Sequence, residues 1–168
     1  MIKPYWLQDS GIKWKLGTCC MFDAPPLNTM NMGTCTLTQA RKDPMKALNK
    51  ALNNCVKLIE ILTFISSQPQ ELRYFRISSE LLPCYTAPEI KSYYDAQIST
   101  FATILRKAGD IAKQHSIRLS SHPAQFTVLA SNNPDVVTRS IEDIHYHALI
   151  FELMGIESQD AIVNIHLQ

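Results

Sequence analysis

The sequence has no apolar run that approaches the roughly 20 residues needed to cross a bilayer. Its first six residues also lack the basic and then apolar pattern of a secretory signal peptide. The sequence therefore predicts neither a transmembrane helix nor export. We expect a cytoplasmic protein with no membrane partner.

Cysteine pairs with the spacing of a zinc site are also absent. The five cysteines stand at positions 19, 20, 35, 55 and 84, and none form a Cys-x-x-Cys pair. Cys19 and Cys20 are neighbours, so on a strand their side chains would point to opposite faces. The pattern favours reduced, mostly buried thiols over a disulfide framework or a structural zinc site.

Neither sign of charge is in excess. The chain has 16 lysines and arginines against 15 aspartates and glutamates, a formal net charge of +1. Proteins that bind nucleic acid usually carry a basic surplus, so the total charge does not favour DNA binding, although a local basic patch can hide in a neutral total. Its 168 residues, 46% of them hydrophobic, suffice for one core, and we expect a single domain over residues 1–168.

Short apolar runs alternate with long amphipathic stretches along the chain. Asp43 and Pro44 suit the N-cap and first turn of a helix, and apolar residues then recur every three or four positions. Asn133 and Pro134 form the same start signal, and Gly155 stands where a C-cap belongs. The predicted elements are strand 14–21, loop 22–42, helix 43–66, strand 72–79, helix 89–115, strand 117–121, helix 134–154 and strand 161–166.

This alternation predicts βαβ units and a parallel sheet, that is, an α/β fold. Four strands and three helices amount to half of a (β/α)8 TIM-type barrel, which typically needs about 250 residues. The last predicted strand has no helix to cover it, which would leave apolar surface and an unpaired edge. We therefore expect a half barrel, with the C-terminal half of the barrel missing.

Polar residues share one face near the C-terminal ends of three predicted strands. Parallel sheets are normally apolar on both faces, and a barrel keeps its active site at the C-terminal ends of its strands. Because side chains alternate along a strand, every second residue points to the same face. The polar residues of each strand therefore lie on one face and the apolar residues on the other. The groups are Tyr74, Arg76 and Ser78, then Arg118, Ser120 and His122, then Asn164 and His166.

His122 and His166 would be neighbours across the third and fourth strands. Neutral imidazoles at such a place are natural ligands for a divalent metal ion. The alternative is that each histidine is a strand-end residue hydrogen-bonded to its surroundings. Spacing alone does not name a metal, and it reveals no carboxylate cluster of the kind that a metal-dependent nuclease needs.

Several segments resemble the UV-damage endonuclease family. The most specific runs from residue 119 to 126, Leu-Ser-Ser-His-Pro-Ala-Gln-Phe, and is similar to the family's Ser-x-His-Pro-x-Gln-aromatic segment after its third strand. The matches cover nearly the whole chain in order, which indicates the N-terminal half of that family. The further matches are Leu16-Gly17, Thr34 to Leu37, Phe75 to Ser79 with Pro83, Val128 to Ser131, Val136-Val137, Asp143 with Tyr146-His147, Met154-Gly155 and Asn164-Ile165-His166.

The resemblance implies a metal-dependent endonuclease of DNA repair that cuts damaged duplex DNA on the 5′ side of UV lesions such as pyrimidine dimers. It implies divalent metal ions, with manganese expected, that activate water and stabilise charge on the scissile phosphodiester. His122 and His166 would be catalytic metal ligands. Gln125 and Phe126 would probe the duplex, the ring filling a vacated stacking position and the amide holding polar base edges. Phe126 as a core residue and Gln125 as an ordinary loop residue are the alternatives.

Other matched residues would support the site rather than act in it. These are Arg76, Ser78, Asn164 and His147, of which His147 falls on a predicted helix beside the apolar residues. Tyrosine also occurs in the family at the position of Phe126.

The sequence departs from the family in three places. Residues 83–88 contain no histidine, so one expected metal ligand is absent. Thr18 and Met21 stand near positions where relatives often have an aromatic residue and an asparagine. Relatives continue past Asn-Ile-His with a Gly-Gly segment and further ligands on later strands, whereas Leu167 and Gln168 close this chain. We therefore expect this chain alone to bind metal weakly and to cut poorly, with a separately encoded C-terminal half as a possible partner.

Two other functions fit the same pattern. One is another metal-dependent barrel enzyme, of the abasic-site endonuclease or sugar isomerase type, because those folds also place histidines and acids at strand ends. The other is a non-catalytic remnant that binds DNA or a partner half, which the missing ligand residues favour. A preference for an abasic duplex or a sugar over a dimer-containing duplex would identify the first alternative. Binding to damaged DNA without incision would identify the second.

Overall fold

The computed structural model describes residues 15–158 and 160–165. Five α-helices and a small parallel sheet make up this part of the chain. The helices are α1 (Leu37–Lys42), α2 (Pro44–Ser66), α3 (Pro88–Asp95), α4 (Ile98–Gln114) and α5 (Pro134–Met154), and the strands are β1 (Tyr74–Ile77), β2 (Arg118–Ser121) and β3 (Ala161–Val163).

The sheet has the order β1-β2-β3, and both strand pairs are parallel, as the alternation of elements predicts. The predicted first strand is reduced, within the described residues, to a parallel bridge between Thr18 and Phe75. Thr18 donates its N–H to the Tyr74 carbonyl at 3.1 Å, and Arg76 donates to the Thr18 carbonyl at 3.1 Å. The predicted α/β class is therefore confirmed, with three strands and a bridge in place of four strands.

The capping signals of the two longest helices are confirmed. Asp43 caps α2 by accepting the N–H of Met45, and Asn133 caps α5 by accepting the N–H of Asp135. Gly155 follows α5 with φ 68°, the left-handed conformation that glycine adopts without a Cβ clash.

The loop predicted over residues 22–42 is partly wrong, because it contains α1. Thr36 caps this helix in a reciprocal capping box with Gln39. The helix predicted over 89–115 is broken at Ala96 and Gln97 into α3 and α4. The apolar pattern hides this break, because the buried residues on both sides keep the spacing of one continuous helix.

The buried face of α5 also differs from the predicted one. The spacing of its apolar residues predicts a core-facing side made of Val137, Ile141, Ile144, Ala148 and Phe151. The structure instead buries Phe151 with residues that include Ser140, Tyr146 and His147, while Ile141 is 42% exposed. The helix is therefore rotated so that polar side chains enter the interior, where each must find a partner.

The core lies between one face of the sheet and the helices. Phe75, Ile77 and Leu119 project from the sheet into the same buried cluster as the apolar residues of α2, α4 and α5. Helix α4 packs against both α2 and α5. In the described parts of the chain, no helix is long and apolar enough to cross a membrane.

Gly109 lets α4 approach α5 closely, and its replacement by alanine is expected to destabilise the fold by about 2 kcal/mol. A Cβ at this position would lie 1.8 Å from the Met154 carbonyl oxygen and 2.7 Å from its carbonyl carbon, both rigid backbone atoms. Gly33→Ala is the matched control, since the nearest atom there is the Nζ of the flexible Lys50 side chain at 3.1 Å. Urea denaturation measures both variants, and equal stability of the two would contradict this packing argument.

Candidate functional site

The polar face of the sheet forms as strand parity predicts. In the register of β1 and β2, Tyr74 stands opposite Arg118 and Arg76 opposite Ser120. The Tyr74 hydroxyl and Ser120 Oγ are 2.6 Å apart and hydrogen-bonded. Arg76 is half-buried on this face, so a charged side chain stands where a parallel sheet is ordinarily apolar.

His122 lies immediately after β2 and is half-buried. Its Nδ1 is 2.7 Å from the Pro123 carbonyl oxygen. A carbonyl oxygen can only accept, so Nδ1 donates, and in the neutral ring the lone pair then belongs to Nε2. This is the tautomer of a histidine that ligates through Nε2.

Gln125 and Phe126 form the tip of a tight turn that follows His122. The Thr127 N–H donates to the Ala124 carbonyl at 3.0 Å, so Gln125 and Phe126 occupy the two central positions of a β-turn. Both residues are exposed, and the Phe126 side chain is the most exposed of the large apolar residues described, at 77%. The alternative that Phe126 is a core residue is therefore wrong.

Two hydrogen bonds attach this turn to α5. The Thr127 hydroxyl donates to Asp143 Oδ2 at 2.5 Å, and the Val128 N–H donates to Ser140 Oγ at 2.8 Å. Ser140 also donates to the Val136 carbonyl one turn earlier in its own helix, at 2.7 Å. A cleft of about 670 Å³ separates the turn from this part of α5. The sequence does not reveal these contacts, because they join residues 12 and 16 positions apart through an irregular loop.

His147 lies on α5 and is 2% exposed. Burial lowers the pKa of its imidazole, the nearby His122 lowers it further, and Asp143 opposes both effects. The net effect favours the neutral form of the ring. Its buried Nε2 has no hydrogen-bond partner among the residues that the structure describes.

The remaining predicted supporting residues lie at the same edge of the sheet. Ser78 follows β1, and its hydroxyl accepts the Glu80 N–H at 3.2 Å. Asn164 follows β3, donates its backbone N–H to the Ser121 carbonyl at 3.0 Å and leaves its side chain exposed. The positions fit the predicted edge, and the supporting roles stay predictions.

Two anchors hold the loop that follows β1. From α2, the amide of Asn54 donates to the Glu80 carbonyl at 2.9 Å. From α5, the Tyr146 hydroxyl donates to the Ser79 carbonyl at 3.2 Å and accepts the Leu82 N–H at 3.0 Å. Helices α2 and α5 therefore fix the loop between them.

Cys84 stands in the segment where the family resemblance leads us to expect a histidine. Its backbone is left-handed, with φ 60°, and its thiol donates to the Cys35 carbonyl at 3.2 Å. Burial raises the pKa of this thiol, and the neighbouring Cys35, Glu80 and Glu89 raise it further. Metal ions bind the thiolate rather than the thiol, so the raised pKa of Cys84 disfavours it as a replacement for the missing histidine.

The described residues do not complete a metal site. Within residues 15–158 and 160–165, no group of three or more histidine, cysteine, aspartate or glutamate side chains is placed to hold a metal ion. His166 lies outside the described residues, so its pairing with His122 stays a prediction. The role of His122 as a metal ligand therefore also stays a prediction.

Comparison with known proteins gives a consistent result. A family model described as UV-endonuclease UvdE matches residues 15–168. The UV DNA damage endonuclease of Bacillus mycoides (strain KBAB4) is 32% identical over 147 residues, which cover 88% of this chain and 44% of that protein. The protein of the same name from Bacillus cereus (strain B4264) is 31% identical with the same coverage.

A solved structure agrees with this match in three dimensions. The crystal structure of SacUVDE superposes with a TM-score of 0.77 at 28% sequence identity, covering 91% of this chain and 49% of that chain. This chain therefore spans less than half the length of the curated relatives it matches.

Proposed function

Because this chain belongs to the UV-endonuclease UvdE family, we propose that it acts on duplex DNA that carries UV photolesions, as part of a metal-dependent incision on the 5′ side of the lesion. The single observation that supports this best is the exposed Gln125–Phe126 turn, four residues after the C-terminal end of β2. An aromatic side chain that is 77% exposed contributes little to folding. It is placed to stack against bases of a distorted duplex.

In this proposal Phe126 fills the space that displaced bases vacate, and Gln125 hydrogen-bonds to the exposed base edges. Base–aromatic stacking is worth about 1–3 kcal/mol per base. A lesion that already weakens stacking and pairing lowers the cost of opening the duplex. The turn would thus favour damaged over intact DNA without reading a sequence.

We further propose that the chain forms the first half of a (β/α)8 barrel. Its parallel sheet has one face covered by helices and an opposite face that carries Tyr74, Arg76 and Ser120. In a closed barrel that second face would line the interior below the active-site edge. A C-terminal half, on the same or another polypeptide, would be the partner that supplies further strands.

His122 and His166 would bind a divalent metal ion, with Mn²⁺ expected. Such an ion activates water and stabilises charge on a phosphodiester when bound. Because the described residues supply His122 without a complete ligand set, we expect the isolated chain to bind metal weakly and to incise poorly.

Replacing His122 with alanine is expected to weaken Mn²⁺ binding at least tenfold, because it would remove a proposed coordinating nitrogen, and even outer contacts of metal ligands are worth about 10–100-fold. Isothermal titration calorimetry of the 168-residue chain measures this. His145→Ala is the control, since His145 is exposed on α5. Unchanged affinity in His122→Ala would contradict the proposed ligand role.

The function is tested by comparing the chain's affinity for a duplex with one thymine dimer and for the same duplex without it. An incision assay with Mn²⁺ is run on the same samples. Tighter binding to the dimer duplex is the expected result. Equal binding, or a preference for an abasic duplex, would contradict the proposal. Preferential binding with no incision by this chain would fit the binding-only alternative for the isolated half.

A further inference from the structure

The exposed Gln125–Phe126 turn is tied to α5 at the two residues that follow it. We propose that Thr127, Ser140 and Asp143 are positioning residues that hold this turn in the orientation in which it meets a damaged duplex. This inference rests on the proposed function and deepens it, since it assigns lesion discrimination in part to residues that do not touch DNA.

The geometry fixes the turn from both sides. On the N-terminal side, β2 ends at Ser121, and Pro123 is buried, so the chain leaves the sheet along a set path. On the C-terminal side, the Thr127 side chain donates to Asp143 Oδ2 at 2.5 Å and the Val128 N–H to Ser140 Oγ at 2.8 Å. The backbone around Phe126 is thus held although its side chain is exposed.

Two of the three polar residues of this tether are buried, and the third, Asp143, is half-buried. Thr127 is 6% exposed and Ser140 2% exposed. A buried hydroxyl needs a hydrogen-bond partner, whereas an apolar residue would pack there without one. Ser140 has two partners, since its oxygen accepts from Val128 while its proton goes to the Val136 carbonyl. Ser140 therefore links the loop after the turn to one fixed position along α5.

Holding the turn before DNA arrives should strengthen binding. A loop that is ordered only on binding loses conformational entropy at that step, whereas a loop already in its bound shape does not. Because intact duplex offers the ring no vacated position, the tether should matter chiefly for the damaged duplex. Its removal should therefore reduce discrimination and leave affinity for intact duplex nearly unchanged.

The test uses variants matched in size. Thr127→Val keeps the shape of the side chain and removes the hydroxyl, whereas Thr127→Ser keeps the hydroxyl and should rescue. Thr103→Val is the control for the loss of a threonine hydroxyl elsewhere, because Thr103 is exposed on α4 and donates to the Ser99 carbonyl at 2.9 Å. Ser140→Ala releases the second tether and supplies the comparison if Thr127→Val does not fold.

Two measurements are made on each variant. Hydrogen exchange of the Thr127 and Val128 amides reports the turn without DNA, and we expect about tenfold faster exchange in Thr127→Val. Anisotropy titrations with a thymine-dimer duplex and with its intact counterpart report discrimination, which we expect to fall about fivefold. Both values should stay near wild type in Thr127→Ser and Thr103→Val.

The outcomes separate the two proposals. If wild-type protein does not prefer the dimer duplex, the proposed function is wrong, and the positioning role that rests on it is wrong as well. If wild type prefers the dimer duplex and folded Thr127→Val and Ser140→Ala keep that preference in full, the positioning role alone is wrong. A loss of preference in Thr127→Val that Thr127→Ser does not show supports it.

Discussion

Replacing Asn54 with alanine is expected to lower the free energy of unfolding by about 4 kcal/mol. Asn54 lies on α2 and its side chain is fully buried. Its Oδ1 accepts the Gly33 N–H at 2.8 Å, and its Nδ2 donates to the carbonyls of Gly33 at 2.8 Å and Glu80 at 2.9 Å. A longer contact joins Nδ2 to the Leu81 carbonyl at 3.4 Å, so one amide hydrogen-bonds to four backbone groups of two separate loops.

The size of the effect follows from what alanine leaves behind. Each buried backbone group that loses its partner costs about 1–3 kcal/mol. Water can partly replace the lost hydrogen bonds, because these contacts are only part-buried at their loop ends. The total cost therefore stays below the sum of the largest values for the individual groups. Asn53→Ala is the matched control, since the neighbouring Asn53 is exposed, and it should stay within about 0.5 kcal/mol of wild type.

Urea denaturation followed by circular dichroism measures both variants. If Asn54→Ala lowers the free energy of unfolding as little as Asn53→Ala does, the Asn54 amide does not hold the two loops. The functional consequence can be checked on the same samples, because the Glu80 loop follows β1 at the edge of the sheet that carries His122.

Replacing Phe126 with alanine is expected to reduce the affinity for dimer-containing duplex at least about fivefold while leaving stability nearly unchanged. The ring is 77% exposed, so its removal should change the free energy of unfolding by less than about 0.5 kcal/mol. Loss of one base–aromatic stack, about 1–3 kcal/mol, corresponds to roughly 5–150-fold in affinity.

Two variants calibrate this result. Phe126→Tyr keeps an aromatic face and should bind dimer duplex nearly as wild type does. Tyr93→Ala removes another exposed aromatic ring, on α3 and 45% exposed, and should leave DNA affinity unchanged. If Phe126→Ala binds dimer duplex as tightly as Tyr93→Ala does, Phe126 does not read the lesion.

Local signals predicted those parts of the fold that depend on a few adjacent residues. Asp43 with Pro44, and Asn133 with Pro134, mark helix starts because a capping side chain needs only the next turn of the chain. The capping box of Thr36 and Gln39 was readable in the same way and was missed. The break at Ala96 and Gln97 was not readable, because no proline or glycine marks it and the apolar spacing continues across it.

The site was predictable to the extent that strand parity determines it. Alternation along β1 and β2 placed Arg76 and Ser120 on one face, which the register confirms. The conformation around Gln125 and Phe126, and its attachment to α5, depend on contacts between residues distant in sequence. Such contacts follow from the path of an irregular loop, and hydrophobic periodicity carries no information on that path.

The most direct test of the account is to replace Phe126 with the photo-crosslinking residue p-benzoyl-phenylalanine and to irradiate the complex with a duplex that carries one thymine dimer. Mapping the cross-linked nucleotides shows where the turn meets the DNA, and the same substitution at Tyr93 is the control. We expect cross-links concentrated at the dimer and the bases opposite it, with few from position 93. Cross-links scattered along the duplex, or none from position 126, would contradict the claim that this turn reads the lesion.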